Sequence, residues 1–464
     1  MTGPRFLSSL QSFHIARRFL LKAAQAVKSP ESPVKPPVVS VQDRPELDFE
    51  YLLNPANRDE IARNIIARKK VGDIDRLLEI WRNIQQLLST NSTQQPSTST
   101  ASFESADSLW NELYEQASRI PNRTHPDVPI GAEDKSRVIE IYGSKSIHTK
   151  APRSAEVGGH KAQLYFYDVT QFAGERTYAL ADSLARLEKG LARFALHHVT
   201  KRHGFRPITV PDILPLEIPQ KCGLIQRSLK NILFPVGLEK SPDLCLAGTA
   251  EMGVANFLSN QIYSLSELPL KLVSLSRCYR PEISFGRISS GLYRVHDFLK
   301  VEMFMVTACE SGHESDEALE FLLSVQRELY QALGLHFRIL EMSSEELGLP
   351  AYRKYDLEAW MPSRNVFGEV CSASNCTDFQ SRRLNIKYRS GNGEPKFVHT
   401  LNATALAAPR TMIAIIEQFQ KSNNTVPVPD VLRPFLRTDL IAPSRTPLSM
   451  TKPRPFSEYK VMVN

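Results

Sequence analysis

Four segments of the sequence concentrate charged and hydrogen-bonding side chains inside otherwise apolar stretches. They are 248–251 (GTAE), 280–302 (RPE to RVHDFLKVE), 355–375 (YDLEAW to EVCSASN) and 402–410 (NATALAAPR). Charged groups are costly to bury unless a ligand or a protein partner compensates them. The segments therefore indicate either a site for a charged ligand or a set of internal salt bridges and helix caps. Each residue taken singly permits both interpretations.

The second of these segments alternates as a β-strand with two different faces does. One face would carry Arg294, His296, Phe298, Lys300 and Glu302. The other face would carry Val295, Asp297, Leu299 and Val301. Because a face that combines cations, a ring and a carboxylate is costly to bury alone, we expect the first face to contact a ligand or partner groups.

Two helical patterns precede these segments and predict an antiparallel helical hairpin. Apolar residues recur at helical spacing over 57–88, and over 103–120 they step by three and four residues as in an a/d seam. The polar, uncharged stretch 89–102 between them predicts a flexible loop. The first helix is the longer one, so it would either project beyond its partner or break near Gly72.

The first helical pattern also carries a basic run, formed by Arg63, Arg68, Lys69 and Lys70. These four side chains are candidates for contacts with the phosphates of an RNA. The alternative is that they form an ordinary solvated helix face, which such runs commonly do.

Positive charge is concentrated at the N-terminus of the 464-residue chain. The net charge is +7, but residues 1–30 hold five basic residues and no acid, and the rest of the chain has 52 basic and 50 acidic residues. The main body therefore excludes a broad basic field for nucleic acid, although a local basic patch is compatible with it.

The basic, acid-free composition of 1–30 predicts a mitochondrial transit peptide, and hence a protein of the mitochondrial matrix. The proline-rich stretch 31–44 predicts a linker. The six cysteines form no CxxC pair and no Cys/His cluster with zinc spacing, which argues against disulfides and a structural zinc site and suits a reducing compartment. No apolar run approaches the roughly 20 residues of a membrane-spanning helix.

From about residue 45 to 435 the chain resembles the seryl-tRNA synthetases, which are class II ligases. The resemblance rests on several long motifs that occur in the family's order. They are the IPN and VP-x-G-x-x-E/D junction at 120–134, TAE at 249–251, CYRPE…GLYRVHDFLKVE at 278–302, KYDLEAWMP…FGEVCSASNCTDFQSRR at 354–383, NATALAAPRTMIAIIEQFQ at 402–420 and VPDVLRPFL at 428–436. Pro211 stands where motif 1 of the class II dimers places its proline.

The resemblance implies an α+β fold. A shortened antiparallel helical hairpin that reads tRNA (45–122) would precede a class II catalytic-type domain (123–436). That domain would be built on an antiparallel sheet of six to eight strands flanked by helices. A C-terminal tail (437–464) would follow it.

The resemblance also implies roles for individual residues. Arg280 would hold the α-phosphate of ATP, Arg410 the γ-phosphate, and Phe298 would stack on the adenine. Glu369 and Ser372 would bind Mg²⁺. Recognition of serine would fall to Thr249, Glu251, Glu302 and Thr404. The positions equivalent to the family's catalytic residues are Arg280, Glu282, Arg294 and Arg410.

Three motifs depart from the family pattern. The family's GRDxRG reads GRISSG at 286–291, HQF reads His296-Asp297-Phe298, and YRE reads Phe367-Gly368-Glu369. Two arginines are thus missing, at Ser290 and Gly368, and Asp297 adds a carboxylate. Placed beside a nucleotide, these changes would weaken ATP binding by about two to four orders of magnitude.

These departures resemble the seryl-tRNA synthetase-like paralogues of insect mitochondria more than the ligase itself. We therefore expect a non-catalytic paralogue that needs no cofactor, binds tRNA (tRNA-Ser) and has a regulatory role. It would dimerise with itself or with the mitochondrial synthetase through the apolar segment around Pro211, formed by Ile208, Val210, Ile213 and Leu214. The alternatives are an active mitochondrial serine–tRNA ligase that uses Mg-ATP and an interaction scaffold that binds no RNA.

Overall fold

The computed structural model describes residues 44–93, 100–144, 166–168, 174, 176–224, 233–238, 241–282, 291–423 and 425–442. The predicted transit peptide, nearly all of the linker, the substituted position Ser290 and most of the C-terminal tail lie outside these ranges. The chain divides into two compact units. One consists of Met1–Ile65 and Val71–Ile120, and the other of Ile66–Lys70 and Pro121–Asn464.

Three helices make up most of the first unit: α1 (Arg58–Ala67), α2 (Ile74–Thr93) and α3 (Thr100–Arg119). A short helix, Phe49–Leu52, precedes them. Helices α2 and α3 run antiparallel, because the Trp81 ring lies 6.1 Å from that of Trp110 while Arg76, nearer the start of α2, pairs with Glu112 further along α3. The hairpin is the one that the sequence predicts.

The break between α1 and α2 falls at Gly72, one of the two outcomes expected for a long first helix. Gly72 has a φ of +103°, and a Cβ there would lie 3.1 Å from the carbonyl oxygen of Arg119, so a larger residue would be strained and crowded. The break makes α2 and α3 equal at 20 residues each, which corrects the expectation of unequal arms. The predicted loop 89–102 is also too long, since α2 continues to Thr93 and α3 begins at Thr100.

An eight-stranded sheet forms the centre of the second unit. Its strands in chain order are β1 (Arg137–Tyr142), β2 (Arg206–Pro207), β3 (Leu270–Tyr279), β4 (Asp297–Thr307), β5 (Phe337–Glu341), β6 (Arg353–Met361), β7 (Val366–Asn375) and β8 (His399–Ala407). Across the sheet the order is β1-β5-β6-β7-β8-β4-β3-β2. All neighbours are antiparallel except β2 and β3, which are parallel.

Three long helices cover the sheet: α4 (Asp182–His203), α6 (Glu314–Ala332) and α7 (Ala408–Phe419). The shorter helix α5 (Ala250–Phe257) packs against β3 and β4. The long helices bury their apolar stripes, including Leu187 of α4, Leu322 of α6 and Ile415 of α7, in one core with the sheet. The predicted α+β class, with an antiparallel sheet flanked by helices, is confirmed by this arrangement.

Smaller elements complete the second unit. The short helices are Glu217–Lys221, Phe379–Leu384 and Arg433–Leu436. The strands of the four small sheets are Phe166–Asp168 with Tyr178–Leu180; Ile213–Pro215, Ser241–Leu246 and Pro235–Leu238; Ile262–Ser264, Lys387–Arg389 and Pro395–Phe397; and Val426–Pro427 with Leu440–Ile441. The predicted tail therefore begins with a paired strand. Among the described residues, no helix combines the length and apolar composition that a bilayer span requires.

The segment around Pro211 is less exposed than the sequence suggests. Val210 and Leu214 are buried and Ile208 is partly buried in a second core with α5. Only Ile213, of the four apolar residues, is largely exposed, at 48%. The segment is therefore mainly core, which corrects the expectation of a broad open apolar face.

Candidate active site

A cleft opens over the middle of the large sheet, where β4, β7 and β8 lie side by side. It contains about 690 Å³ of space, a volume that includes its open mouth. The residues predicted for serine, ATP and magnesium all line it: Thr249, Glu251, Arg280, Glu282, Arg294, Phe298, Glu302, Glu369, Ser372, Thr404 and Arg410. Four segments that are distant in sequence thus meet in one place.

Strand β4 contributes Phe298, Lys300 and Glu302 to the cleft, as the alternation predicts. The strand begins only at Asp297, however, so Arg294 reaches the cleft from the turn before it. His296 is the exception to the predicted face. Its Nδ1 lies 3.0 Å from the carbonyl oxygen of Arg280, and it is not among the residues that line the cleft.

One end of the cleft is a buried polar cluster around Glu302. Glu302 pairs with Thr404 in the register of β4 and β8, and the Thr404 hydroxyl donates to Glu302 Oε2 over 3.0 Å. The Lys300 ammonium lies 2.7 Å from the same carboxylate oxygen and also donates to Thr249 Oγ1 over 2.7 Å. Glu302 is 3% exposed, so its charge is held by this cation and this hydroxyl rather than by water.

Glu251 lies in the first turn of α5, at the same end of the cleft. Its Oε1 accepts hydrogen bonds from Gln380 Nε2 over 2.7 Å and from Asn402 Nδ2 over 3.1 Å. Burial, reinforced by the neighbouring charge of Glu302, raises the pKa of Glu251 to about 7. A cationic ligand placed between Glu251 and Glu302 would relieve this repulsion, so the pair suits an ammonium group.

Two arginines and two aromatic rings form the other end of the cleft. The Arg280 guanidinium lies 5.3 Å from the ring centre of Phe298, and its Nε donates to the carbonyl oxygen of Gly248. The Arg410 guanidinium lies 4.6 Å from the ring centre of Tyr293 and its Nη1 contacts Glu369 Oε2 at 3.1 Å. Cations fixed in this way on rings and carbonyl groups are arranged to meet an anion.

Glu282 and Arg294 pair with each other at the mouth of this end. Arg294 Nη1 donates to Glu282 Oε2 over 2.9 Å, and the backbone of Glu282 has a φ of +48°, which is unusual for a glutamate. Glu282 and Arg294, two of the four positions equivalent to the family's catalytic residues, thus both line the cleft.

The donors near Glu369 fit a divalent cation. Burial disfavours the charged carboxylate, but the Arg410 and Lys354 cations overcome this and lower the pKa of Glu369 to about 2. Ser372 lines the same cleft and is paired with Asp356 in the register of β6 and β7. Asp356 Oδ1 is buried and accepts no hydrogen bond within the described ranges. Hard oxygen donors of this kind are what Mg²⁺ prefers.

Asp297 points away from the cleft, which corrects the predicted effect on nucleotide binding. Its carboxylate forms an ion pair with Arg277 of the neighbouring strand β3, and it does not line the cleft. It also lies on the strand face opposite to Phe298. The added negative charge is therefore neutralised by a protein cation outside the site.

The ring of Tyr293 occupies the space that a side chain at position 368 would need. A Cβ on Gly368 would lie 2.8 Å from the Tyr293 hydroxyl and 3.0 Å from a ring carbon of Tyr293. The Tyr293 ring also meets the Arg364 guanidinium at 5.3 Å from its centre.

The four candidates for RNA contact separate into exposed and buried residues. Arg63, Lys69 and Lys70 are exposed, although Lys69 also forms an ion pair with Glu346 at 2.9 Å. Arg68 is only 4% exposed and donates to Thr124 Oγ1 and to backbone carbonyl groups, including that of Asn122. The prediction that Arg68 contacts a phosphate is wrong, because its buried guanidinium forms hydrogen bonds within the protein.

Sequence reasoning missed Tyr293, Gln380 and Asp356, which the structure places at or beside the cleft, and it gave Lys300 no role of its own. Tyr293 and Lys300 stand within quoted motifs, so their position was the available signal. Gln380 and Asp356 also stand within a quoted motif, but nothing in their spacing indicates which groups they contact.

Sequence and structure comparisons agree on one family of proteins. Residues 234–419 match the tRNA synthetase class II core domain (G, H, P, S and T). The chain is 44% identical to the mitochondrial serine–tRNA ligase of Mus musculus over 347 residues, which are 74% of this chain and 67% of that protein. It is 39% identical to the serine–tRNA ligase of Treponema denticola over 334 residues, 71% of this chain and 78% of that protein.

Among solved structures, the seryl-tRNA synthetase from Pyrococcus horikoshii complexed with ATP is similar at 27% identity with a TM-score of 0.73. The similarity covers 86% of this chain and 100% of that one. The cytoplasmic serine–tRNA ligase of Naegleria fowleri in complex with AMP is similar at 28% identity with a TM-score of 0.74, covering 86% of this chain and 99% of that one.

Proposed function

The chain belongs to the seryl-tRNA synthetase family, and from this premise we propose that it is an active serine–tRNA ligase. It would join the serine carboxylate to the α-phosphate of ATP with release of pyrophosphate, and then transfer the seryl group from this adenylate to the terminal ribose of a tRNA with release of AMP. The observation that carries the proposal is the meeting, in one cleft, of a buried carboxylate cluster and a pair of fixed guanidinium groups.

The expectation of a non-catalytic paralogue is wrong. A relative that is 44% identical over 347 residues is named a serine–tRNA ligase, which is an enzyme. The physical basis of that expectation is also weakened, since Asp297 is paired with Arg277 outside the cleft. Nothing in the described part of the chain shows that catalysis is lost.

The buried cluster suits the amino-acid end of the reaction. Glu302 and Glu251 would share the serine ammonium, and the Thr404 and Thr249 hydroxyl groups stand beside them as partners for the serine hydroxyl. A site whose polar groups are buried rejects an analogue that leaves them unpaired by about 10⁴–10⁵-fold. Lys300, already bonded to Glu302 and Thr249, would hold both in position before substrate arrives.

The guanidinium end suits the nucleotide. Arg280 would bind the α-phosphate, where charge accumulates as the serine carboxylate attacks, and Arg410 would bind the terminal phosphate. Phe298, which already contacts Arg280, offers a ring face for the adenine. Glu369 and Ser372, with Asp356 behind them, would hold a Mg²⁺ ion that neutralises phosphate charge when Mg-ATP is bound.

We further propose that the protein acts in the mitochondrial matrix on tRNA-Ser. Support comes from the acid-free basic composition of residues 1–30 and from relatives that are named mitochondrial. The exposed residues Arg63, Lys69 and Lys70 are the proposed contacts with tRNA phosphates. We propose a second copy of the chain as the dimer partner. The alternative partner is a separate mitochondrial synthetase, and co-purification would distinguish the two.

Serine-dependent exchange of pyrophosphate into ATP tests the proposal. The protein would consist of residues 31–464, and it should catalyse exchange with serine but not with alanine or threonine. Replacement Arg280→Ala should lower the rate by about 10²–10³-fold, as removal of a transition-state donor does. The exposed Arg389→Ala variant, outside the cleft, is the matched control. A wild-type protein that is folded and binds tRNA but gives no exchange would refute the ligase function.

A further inference from the structure

A second cluster of metal-ligating side chains lies outside the cleft. His198 and His203 of α4 and Glu328 of α6 place one ligand atom each within 4.8 Å of one another. None of the three lines the cleft. The sequence pattern does not reveal the cluster, because Glu328 follows His203 by 125 residues.

The C-terminal end of α4 fixes the position of the two histidines. The helix ends at His203, and Gly204 then takes a left-handed φ of +71°, so that its N–H donates to the carbonyl oxygen of Val199. The carbonyl oxygen of His203 accepts a 2.7 Å hydrogen bond from Lys271 Nζ. The rings of His198 and His203, five residues apart in sequence, lie 5.3 Å apart between their centres.

The distances among the three ligand atoms suit one metal ion. Glu328 Oε2 lies 3.0 Å from His203 Nε2 and 3.4 Å from His198 Nε2. Ligand atoms placed tetrahedrally about 2.0–2.1 Å from a zinc ion stand about 3.3 Å apart. Both nitrogen–oxygen distances therefore agree with a shared tetrahedral centre.

His198 provides independent evidence for a missing ligand. The residue is 4% exposed, and its buried Nε2 has only the 3.4 Å contact with Glu328 Oε2, which lacks the geometry of a hydrogen bond. An unpaired polar nitrogen in such a place is unfavourable, and this one faces the Glu328 carboxylate. The Glu328 side chain is 45% exposed, so the cluster opens to solvent and an ion can enter.

Two cations stand near the cluster and oppose an added positive charge. Arg202 acts on His198 from the same helix, and Lys271 lies beside the His203 carbonyl with its ammonium 5.0 Å from the ring centre of Phe321. The His203 ring packs against the same phenylalanine at 5.8 Å. The Glu328 carboxylate would supply the negative charge that offsets them.

We propose that His198, His203 and Glu328 form a zinc-binding site with water as the fourth ligand. Two imidazoles and one carboxylate are a recurrent ligand set for Zn²⁺, whereas Mg²⁺ and Ca²⁺ prefer oxygen ligands alone. The ion would join the end of α4 to α6, and it is separate from the nucleotide-associated Mg²⁺ of the cleft.

Metal analysis of the folded protein tests the site. Residues 31–464 would be stripped with a chelator, dialysed against limiting Zn²⁺ and analysed for metal content, and Co²⁺ would be used as a spectroscopic probe of tetrahedral coordination. We expect one zinc per chain. His203→Gln and Glu328→Gln should each weaken zinc affinity by at least about 10–100-fold, the loss that even outer partners of a metal site produce.

The neighbouring exposed histidine provides a matched control, His197→Gln, on the same helix. It should retain wild-type affinity and the cobalt spectrum. Glu328 is half-exposed, so Glu328→Gln should leave the fold intact. This variant therefore tests the zinc site if His203→Gln fails to fold. A wild-type protein that takes up no zinc, or variants that bind zinc as tightly as the control, would overturn the proposal, whatever the outcome of the exchange assay.

Discussion

The two ends of the cleft hold their charges in different ways. At the end around Glu302, the charged groups compensate one another: Lys300 contacts Glu302, and Thr249 and Thr404 complete the hydrogen bonds. At the other end, Arg280 contacts the ring of Phe298, and Arg410 contacts the ring of Tyr293 and pairs with Glu369. The first end is prearranged for one small ligand, whereas the second presents cations whose full compensation awaits an anion.

Replacing the central carboxylate should give the largest effect. Glu302→Gln keeps the acceptor for the Thr404 hydroxyl but leaves Lys300 without its anion and the serine ammonium without its partner. We expect serine-dependent exchange to fall by about 10³-fold, mainly through kcat/KM for serine. The exposed Glu394→Gln variant is the control. A loss of less than about tenfold would show that this end is not prearranged for serine.

Arg410→Ala tests the other end. It removes a guanidinium that contacts both Glu369 and the Tyr293 ring. Exchange should fall by about 10²-fold with a higher KM for ATP and an unchanged KM for serine. An equal rise in both KM values would mean that the two ends do not act separately.

The difference in stability between the wild type and Glu251→Gln should depend on pH. Its pKa is raised to about 7 in the folded protein, so the fold favours the protonated form, and stability is lost as pH rises from the ordinary range near 4.5 through 7. Glu251→Gln should therefore be stabilising by about 1–3 kcal/mol at pH 8 and nearly neutral at pH 4. Denaturant melts at both values measure this. A stabilisation that is the same at pH 4 and pH 8 would contradict it.

Asp297→Asn should have the smallest effect. Because the carboxylate pairs with Arg277 and lies on the strand face away from Phe298, ATP affinity should change by less than about threefold. Calorimetric titration with ATP measures it. A gain of tenfold or more would mean that the carboxylate acts on the nucleotide after all.

The sequence predicts the fold and the composition of the cleft, because long motifs in family order carry both. Alternation along β4 correctly brings Phe298, Lys300 and Glu302 to one face. It fails for His296, since the strand begins one residue later. Local periodicity cannot show where a strand starts when the preceding turn is shaped by contacts from distant segments.

The predictions for Asp297 and Arg68 are wrong for the same physical reason, which is that each side chain pairs with groups distant in sequence. The charge of Asp297 was assigned to the cleft because its pairing with Arg277, 20 residues earlier, is invisible to a motif. Arg68 was counted with its exposed neighbours because its partners, a threonine hydroxyl and backbone carbonyl groups, are more than 50 residues away. A charge pattern in the sequence indicates which charged side chains are present. Only the tertiary structure shows which of them already form ion pairs or hydrogen bonds within the protein.

The close approach of Tyr293 to Gly368 has a consequence for how this site can change over evolution. A side chain at position 368 would collide with the ring, and the ring is also where Arg410 and Arg364 rest. Substitutions at the two positions should therefore be strongly non-additive. An arginine introduced at 368 alone would displace Tyr293 and disturb Arg410, whereas the same change made with a small residue at 293 could be accommodated. The residue types at positions 293 and 368 should therefore vary together among related sequences.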